Sequence, residues 1–269
     1  MAMVSASLVV AALLSWLPRL WGRGEKIERK DYPLIIVAAL LMGVVRKVMM
    51  MFGLSRTSPI DGSIIATLVP LVVLVVSVLA GIDRFTPRKV VGLLLGCAGA
   101  VAVVVTSSGA HHTHSELWGN VMMVCSGIVT ALYMVFFKRL VAKYSVVVLL
   151  RAVYTISAVV MLPLGIGPIA KTDFAALDLR LWGAALFVLV VPTYLPNLLL
   201  NYSLRYVAPT VSSTYTYIQP VLAAALSVAM GLDRIHTDTV LSAALLFVGV
   251  AMVLSSYHTA QKKTPEVAP

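Results

Sequence analysis

The feature that most limits how this chain can fold is that residues 54–103 recur, without a gap, as residues 204–253. Sliding the sequence along itself by 150 positions brings Pro59, Ser63, Pro70, Gly81, Asp83, Arg84 and Gly99 onto Pro209, Ser213, Pro220, Gly231, Asp233, Arg234 and Gly249, together with six further identities. A single shared residue carries no weight in so apolar a chain. Prolines, a Gly-x-Asp-Arg string and a glycine all in register indicate an internal duplication. Each copy reads as an apolar helix, a short charged turn and a second apolar helix.

Both copies lie among apolar runs of about 17 to 25 residues, the length at which a helix crosses ~30 Å of hydrocarbon. The chain is 60% hydrophobic and 12% charged, against roughly 25% charged in a soluble domain, and its mean hydropathy is +0.96. The fold class is therefore an all-α integral membrane protein. A transmembrane barrel would show alternating segments of roughly ten residues instead. The net charge of +10 does not indicate nucleic acid, because the basic residues fall between apolar runs and lack an interleaved aromatic platform. Cys97 and Cys125 lie singly in different runs, a pattern that suggests neither a disulfide framework nor a metal cluster.

Nine transmembrane helices are expected, at residues 4–18, 33–54, 59–80, 90–106, 117–137, 145–165, 181–204, 209–230 and 239–256. No basic region precedes the first run, and Leu17-Pro18-Arg19-Leu20-Trp21 is not a small-residue cleavage site, so it reads as a span rather than a signal peptide. With the connection after the first span in the cytoplasm, fourteen of the twenty-one Lys and Arg residues fall in inside segments and four, Arg56, Lys171, Arg180 and Arg234, in outside ones. That bias places the N-terminus outside and the C-terminus in the cytoplasm. Corresponding spans of the two copies are five apart in chain order, an odd number, so Arg84 is expected inside and Arg234 outside. The repeat is then of inverted topology, the architecture of many secondary transporters.

These residues resemble the EamA-type transporters of the drug/metabolite transporter superfamily. The resemblance is carried by Ser63-Ile64-Ile65-Ala66-Thr67-Leu68-Val69-Pro70 with Gly81-Ile82-Asp83-Arg84, and by Ser213-Thr214-Tyr215-Thr216-Tyr217-Ile218-Gln219-Pro220 with Gly231-Leu232-Asp233-Arg234. Asp stands where the family usually has Glu. The resemblance covers nearly the whole chain and implies two inverted five-helix EamA repeats, ten helices in all, and export as the direction of transport. Residues 1–106 are then a first repeat lacking its first helix, 117–257 a second repeat and 258–269 a cytoplasmic tail. A late start, a truncation and a genuine nine-helix form would look alike on sequence alone.

Arg46, Lys47 and Arg151 lie inside apolar runs, where an unpaired cation costs some 2.5 to 3.5 kcal/mol on insertion scales. Such residues either face a cavity or snorkel to the headgroups. Arg151 is six residues into its span, so snorkelling serves it well, whereas Arg46 and Lys47 sit past midspan and would have to reach farther. Ahead of Pro220 the helical spacing puts Ser212, Thr216 and Gln219 on one face beside Tyr215, a stripe that suits either helix packing or a cavity lining. In the preceding span Pro192 and Pro196 are expected to break or bend the helix, with Asn197 and Asn201 on one face. The expected substrate site is Asn197, Asn201, Tyr202, Tyr215, Thr216 and Gln219 faced by Arg46 or Lys47, with Ser126, Thr130 and Tyr133 as contributors.

Among the acids only Asp61 enters a span, and only by two residues. A buried carboxylate for ion coupling is thus not evident, and cations without acids favour an anionic or zwitterionic substrate. His111, His112 and His114 share an outside loop without further recognisable ligands, and Asp83-Arg84 and Asp233-Arg234 read as turn residues whose acid can cap the next helix. No catalytic constellation, cofactor site or metal site is expected. The reading is a secondary transporter of small metabolites, such as amino acids, in a bacterial inner membrane. Its partners are a small-molecule substrate and the lipid bilayer, with a homodimer left open and nucleic acid excluded. The competing readings are a membrane-embedded lipid-handling protein or enzyme acting on phosphate-bearing lipids, and a truncated non-transporting homologue.

Overall fold

A computed structural model describes residues 2–16, 27–57, 59–107, 117–170, 178–230 and 237–262. The described residues are almost entirely helical and contain no strand. In chain order the helices are α1 (Ala2–Trp16), α2 (Tyr32–Ala38), a π-helical segment (Ala39–Val45), α3 (Arg46–Leu54), α4 (Pro59–Thr67), α5 (Val69–Leu79) and α6 (Pro87–Ser107). They continue with α7 (Leu117–Phe136), α8 (Lys138–Lys143), α9 (Val146–Ala170), α10 (Leu179–Tyr206), α11 (Pro209–Ser213), α12 (Tyr215–Ala229) and α13 (Thr237–Lys262). Among the described residues three stretches, Arg29–Leu54, Leu117–Phe136 and Val146–Gly167, are long and apolar enough to cross a membrane, and Met3–Trp16, Ile64–Leu79 and Val240–Ser256 are shorter apolar helices. Leu79, Leu117, Val159 and Leu13 are 65% or more exposed. Water would penalise such a surface, and hydrocarbon requires it.

The chain forms two compact units, each built from two stretches that are separate in sequence: residues 1–49 with 136–207, and residues 50–135 with 208–269. In the first unit α1 packs antiparallel on α9. Ser5 Oγ donates to Met161 O at 2.9 Å near one end and Arg151 Nε donates to Ser15 O at 3.0 Å near the other. Leu8, Ala11, Leu149 and Met161 fill that seam, each 1% exposed or less. The π segment rests on α9, with Ser157 Oγ 3.0 Å from Ala39 O. The expected break in α10 is not found. The helix runs unbroken from Leu179 to Tyr206 through Pro192 and Pro196, and Thr193 O beside the prolines accepts from Tyr154 Oη at 2.9 Å and Asn197 Nδ2 at 2.8 Å. Side chains thus add bonds to a carbonyl that lies between the two prolines.

The second unit is built on the approach of α6 to α13. Thr86 Oγ1, just before α6, lies 3.2 Å from Ser256 Oγ near the end of α13, so the two helices run antiparallel. A β-carbon on Gly99 would lie 2.5 Å from Leu246 N, and one on Gly249 would collide with Gly96 N. Only glycine lets the two backbones come this close. Tyr217 on α12 lays its ring on Gly96 and donates its hydroxyl to Leu93 O at 3.0 Å.

At the end of α5, Gly81 takes φ +69°. Its N–H bonds Val78 O at 3.0 Å and that of Ile82 bonds Ser77 O at 2.9 Å, a Schellman stop that explains the glycine of the Gly-x-Asp-Arg string. Asp83 does not cap α6 as expected. Thr86 occupies that place, accepting Lys89 N at 3.4 Å ahead of Pro87. Asp83 instead forms a buried ion pair with Lys89, their side chains 8% and 5% exposed, and accepts from Thr210 Oγ1 at 2.8 Å. The bond ties the end of α5 to the start of α11. The counterpart string, Gly231-Leu232-Asp233-Arg234, lies outside the described residues, as do His111, His112 and His114.

Removing one partner of a buried pair leaves a charge without compensation, at about 3–5 kcal/mol. Asp83→Ala is therefore expected to lower the thermal midpoint of the detergent-solubilised protein sharply. Asp83→Ala with Lys89→Met is expected to recover most of the loss, as read from the same melting curves.

Candidate functional site

The expected site residues divide between the two units. In the first, Lys47 follows the π segment and donates from Nζ to Ser7 Oγ on α1 at 3.2 Å. It thus turns toward the helix bundle rather than to the surface. Arg46 beside it is half-buried. On α10, Asn197 Nδ2 donates to Thr193 O and Asn201 Nδ2 to Asn197 O, both at 2.8 Å, so each amide spends a donor on its own helix. Asn201 is 1% exposed. Tyr202 points the other way, more than half exposed, with its ring 5.1 Å from that of Tyr206.

In the second unit the polar run before Pro220 closes largely on itself. Ser213, Thr214 and Thr216 donate to the carbonyls three residues back, Thr210, Val211 and Ser213, at 2.7–2.9 Å. Thr216 is half-buried, while Tyr215 and Gln219 are exposed. On α7, Thr130 Oγ1 donates to Ser126 O at 2.9 Å, and Ser126 and Tyr133 are buried. The stripe drawn from spacing is real as a helix face. Its exposed members able to meet a solute are Tyr215 and Gln219.

Spacing did not reveal the polar cluster around Arg151. Its guanidinium lies 5.1 Å over the Trp16 ring while Nε bonds Ser15 O. Trp16 Nε1 donates to Thr155 Oγ1 at 3.0 Å, and Thr155 Oγ1 donates to Arg151 O at 2.7 Å. The Tyr194 hydroxyl from α10 stands beside Ser15 and Arg151, and its ring lies 5.9 Å from that of Tyr154. Arg151 and Thr155 are four apart on α9, a faint signal in the sequence. Trp16 and Tyr194 come from distant positions and could be joined only by packing.

The fold and these sites can be set beside known proteins. The sequence profile of the EamA-like transporter family matches residues 1–105 and 117–255. The chain belongs to the EamA-like transporter family. An uncharacterized transporter of Archaeoglobus fulgidus is 24% identical over 233 residues, 86% of this chain and 80% of that protein. The uncharacterized transporter YyaM of Bacillus subtilis is 22% identical over 231 residues, 84% and 75% of the two chains. One crystal structure superposes with a TM-score of 0.71 at 17% identity, covering 95% of this chain and 86% of its own, so the fold is shared. An EamA-like chain with such relatives is a membrane transporter, not an enzyme.

The loops at one end of the first unit of this EamA-like transporter are held by charge. Lys143 Nζ meets Asp31 Oδ2 at 2.6 Å and Glu28 Oε1 at 2.8 Å, Lys30 meets Glu28 at 2.7 Å, and Tyr144 Oη donates to Asp31 at 2.5 Å. Hydrogen bonds from Lys143 and then Lys30 hold the Glu28 carboxyl below its ordinary 4.5, and Asp31 and then Glu28 raise Lys143 above its ordinary 10.5. The lowered acid contributes stability that is present above pH 4.5 and lost as pH falls through its folded value. The raised base contributes stability that is present below 10.5 and lost as pH rises through its own. The melting temperature of the wild type is expected to exceed that of Lys143→Met between about pH 5 and 10. The difference should shrink outside that window when both are scanned against pH.

Proposed function

We propose that this membrane transporter is a secondary transporter that exports small anionic or zwitterionic solutes of the amino-acid class. It works by alternating access between two halves of inverted topology, with nine membrane spans, an external N-terminus and a cytoplasmic C-terminus in a bacterial inner membrane. The observation that carries the inverted reading is the seam of α6 and α13. The contact of Gly99 with Leu246 and that of Gly249 with Gly96 exchange with each other when 150 is added to one member and subtracted from the other. Any two-fold axis relating the copies gives this exchange, and because α6 and α13 run antiparallel the axis that fits lies in the membrane plane rather than along its normal, which supports the inverted reading. The bond of Thr210 to Asp83 adds support, because the start of α11 meets the end of α5, the helix pair it repeats.

The residues proposed to meet the solute are Arg46, Lys47, Asn197, Asn201, Tyr202, Tyr215, Thr216 and Gln219. Two adjacent cations at membrane depth favour a ligand that brings a negative group. The lack of an acid well inside a span favours facilitated flux or exchange over proton coupling through a carboxylate.

In proteoliposomes, uptake or release of a panel of labelled amino acids is expected to be saturable. Arg46→Gln and Gln219→Ala are each expected to lower it by about tenfold, the loss of one charge-assisted or one neutral contact to a desolvated solute. Undiminished flux in both variants, with normal insertion, would remove these residues from the site. Orientation is tested separately in a Cys97→Ser, Cys125→Ser background. A membrane-impermeant thiol reagent applied to intact cells is expected to label Arg234→Cys and spare Arg84→Cys. Labelling of both from one side would end the inverted-repeat reading.

A further inference from the structure

Within the first unit, the end of α1, the turn entering α2 and the first three turns of α9 enclose an open cleft of about 660 Å³. Arg29 and Arg151 line it together with Trp16, Tyr32 and Thr155. Neither arginine forms an ion pair among the described residues. The nearby carboxylates are already engaged, Glu28 by Lys30 and Lys143, and Asp31 by Lys143 and Tyr144. Among the described residues two acids therefore stand against four cations at this end, Arg29, Lys30, Lys143 and Arg151, and the two of these cations without a carboxylate there are the two that face the cleft.

The Arg151 guanidinium is oriented before any ligand arrives. Nε is spent on Ser15 O and the plane lies over Trp16, so the terminal nitrogens keep their donors in a fixed fork. That geometry suits the oxygens of a phosphate. Thr155 adds a hydroxyl, although its proton is directed to Arg151 O, so it serves as a wall rather than a donor. Arg29 opens the long apolar helical stretch Arg29–Leu54, and Arg151 is the sixth residue of Val146–Gly167. Five residues of rise place Arg151 roughly 7.5 Å below the start of its helix, at headgroup depth. Trp16 and Tyr32 are the amphipathic rings that favour that level. Val148 and Ile156 line the same cleft, and a bare hydrated anion has no use for them.

We infer that this cleft is an interfacial binding site for the phosphate of an acidic phospholipid, gripped by Arg29 and Arg151, with its glycerol and upper acyl carbons against Trp16, Val148 and Ile156. The inference is independent of which solute the protein carries and of the direction of transport.

The test is a melting-temperature titration of the delipidated protein in neutral detergent with short-chain phosphatidylglycerol, short-chain phosphatidylcholine or inorganic phosphate. Phosphatidylglycerol is expected to raise the midpoint saturably, with half-saturation about tenfold weaker in Arg29→Gln. Arg29 is exposed in a short turn, so that variant tests the site without disturbing the bundle. Arg151→Lys is expected to weaken binding as well, because it keeps the charge but loses the fork, whereas Arg139→Gln, an exposed cation on α8, is expected to leave the titration unchanged. Arg29→Gln titrating like the wild type would overturn the site. Equal half-saturation by phosphatidylcholine would overturn the acidic-lipid assignment. An equal effect of inorganic phosphate at the same concentration would overturn the lipid source and leave a free phosphate as the ligand.

Discussion

Hydrocarbon offers no partner to a peptide N–H or C=O, so each one must be satisfied within the protein or cost several kcal/mol. The helical chain answers this first, and side chains add bonds near its irregular points. Pro192 and Pro196 interrupt the ladder of α10, and Tyr154 and Asn197 supply donors to Thr193 O beside them. The hydroxyls of Thr67, Ser213, Thr214 and Thr216 return to carbonyls three residues earlier in the chain. What reads in sequence as a polar stripe is, for much of its length, a means of closing backbone bonds.

Much of the fold was legible in the chain because its signals are local. Apolar run length gives the helices, and the Gly-x-Asp-Arg string gives the Schellman stop at Gly81. Contacts that join distant positions were not legible. Lys89 looks like one more basic loop residue until packing buries it against Asp83. The interleaving of residues 1–49 with 136–207 has no periodicity to announce it. The same limit explains the sites. Lys47 was singled out by its depth and is found bonded to Ser7, whereas Arg151 was legible only as a cation near a helix end. Its environment depends on Trp16, more than 130 positions away, and on Tyr194 from a third helix.

Two treatments of charge coexist in the molecule. Asp83 with Lys89 is an internal pair whose worth lies in mutual compensation, since either ion alone would be stranded. Glu28, Asp31, Lys30 and Lys143 form an exposed mesh, individually weak and sensitive to salt and pH. Arg29 and Arg151 belong to neither class, and their donors face open space beside aromatic rings.

The burial of Lys89 bears on how the protein reaches its orientation. A chain entering the bilayer is sorted by its basic residues, with carboxylates counting for little, and that sorting precedes tertiary contact. At that moment Lys89 is one of a trio with Arg84 and Arg88 whose charge sorts their loop. Once α5, α6 and α11 have gathered, the same ammonium is withdrawn from water and matched to Asp83. One side chain thus serves biogenesis first and cohesion afterwards, and replacing it would be felt at two separate stages in the protein's life.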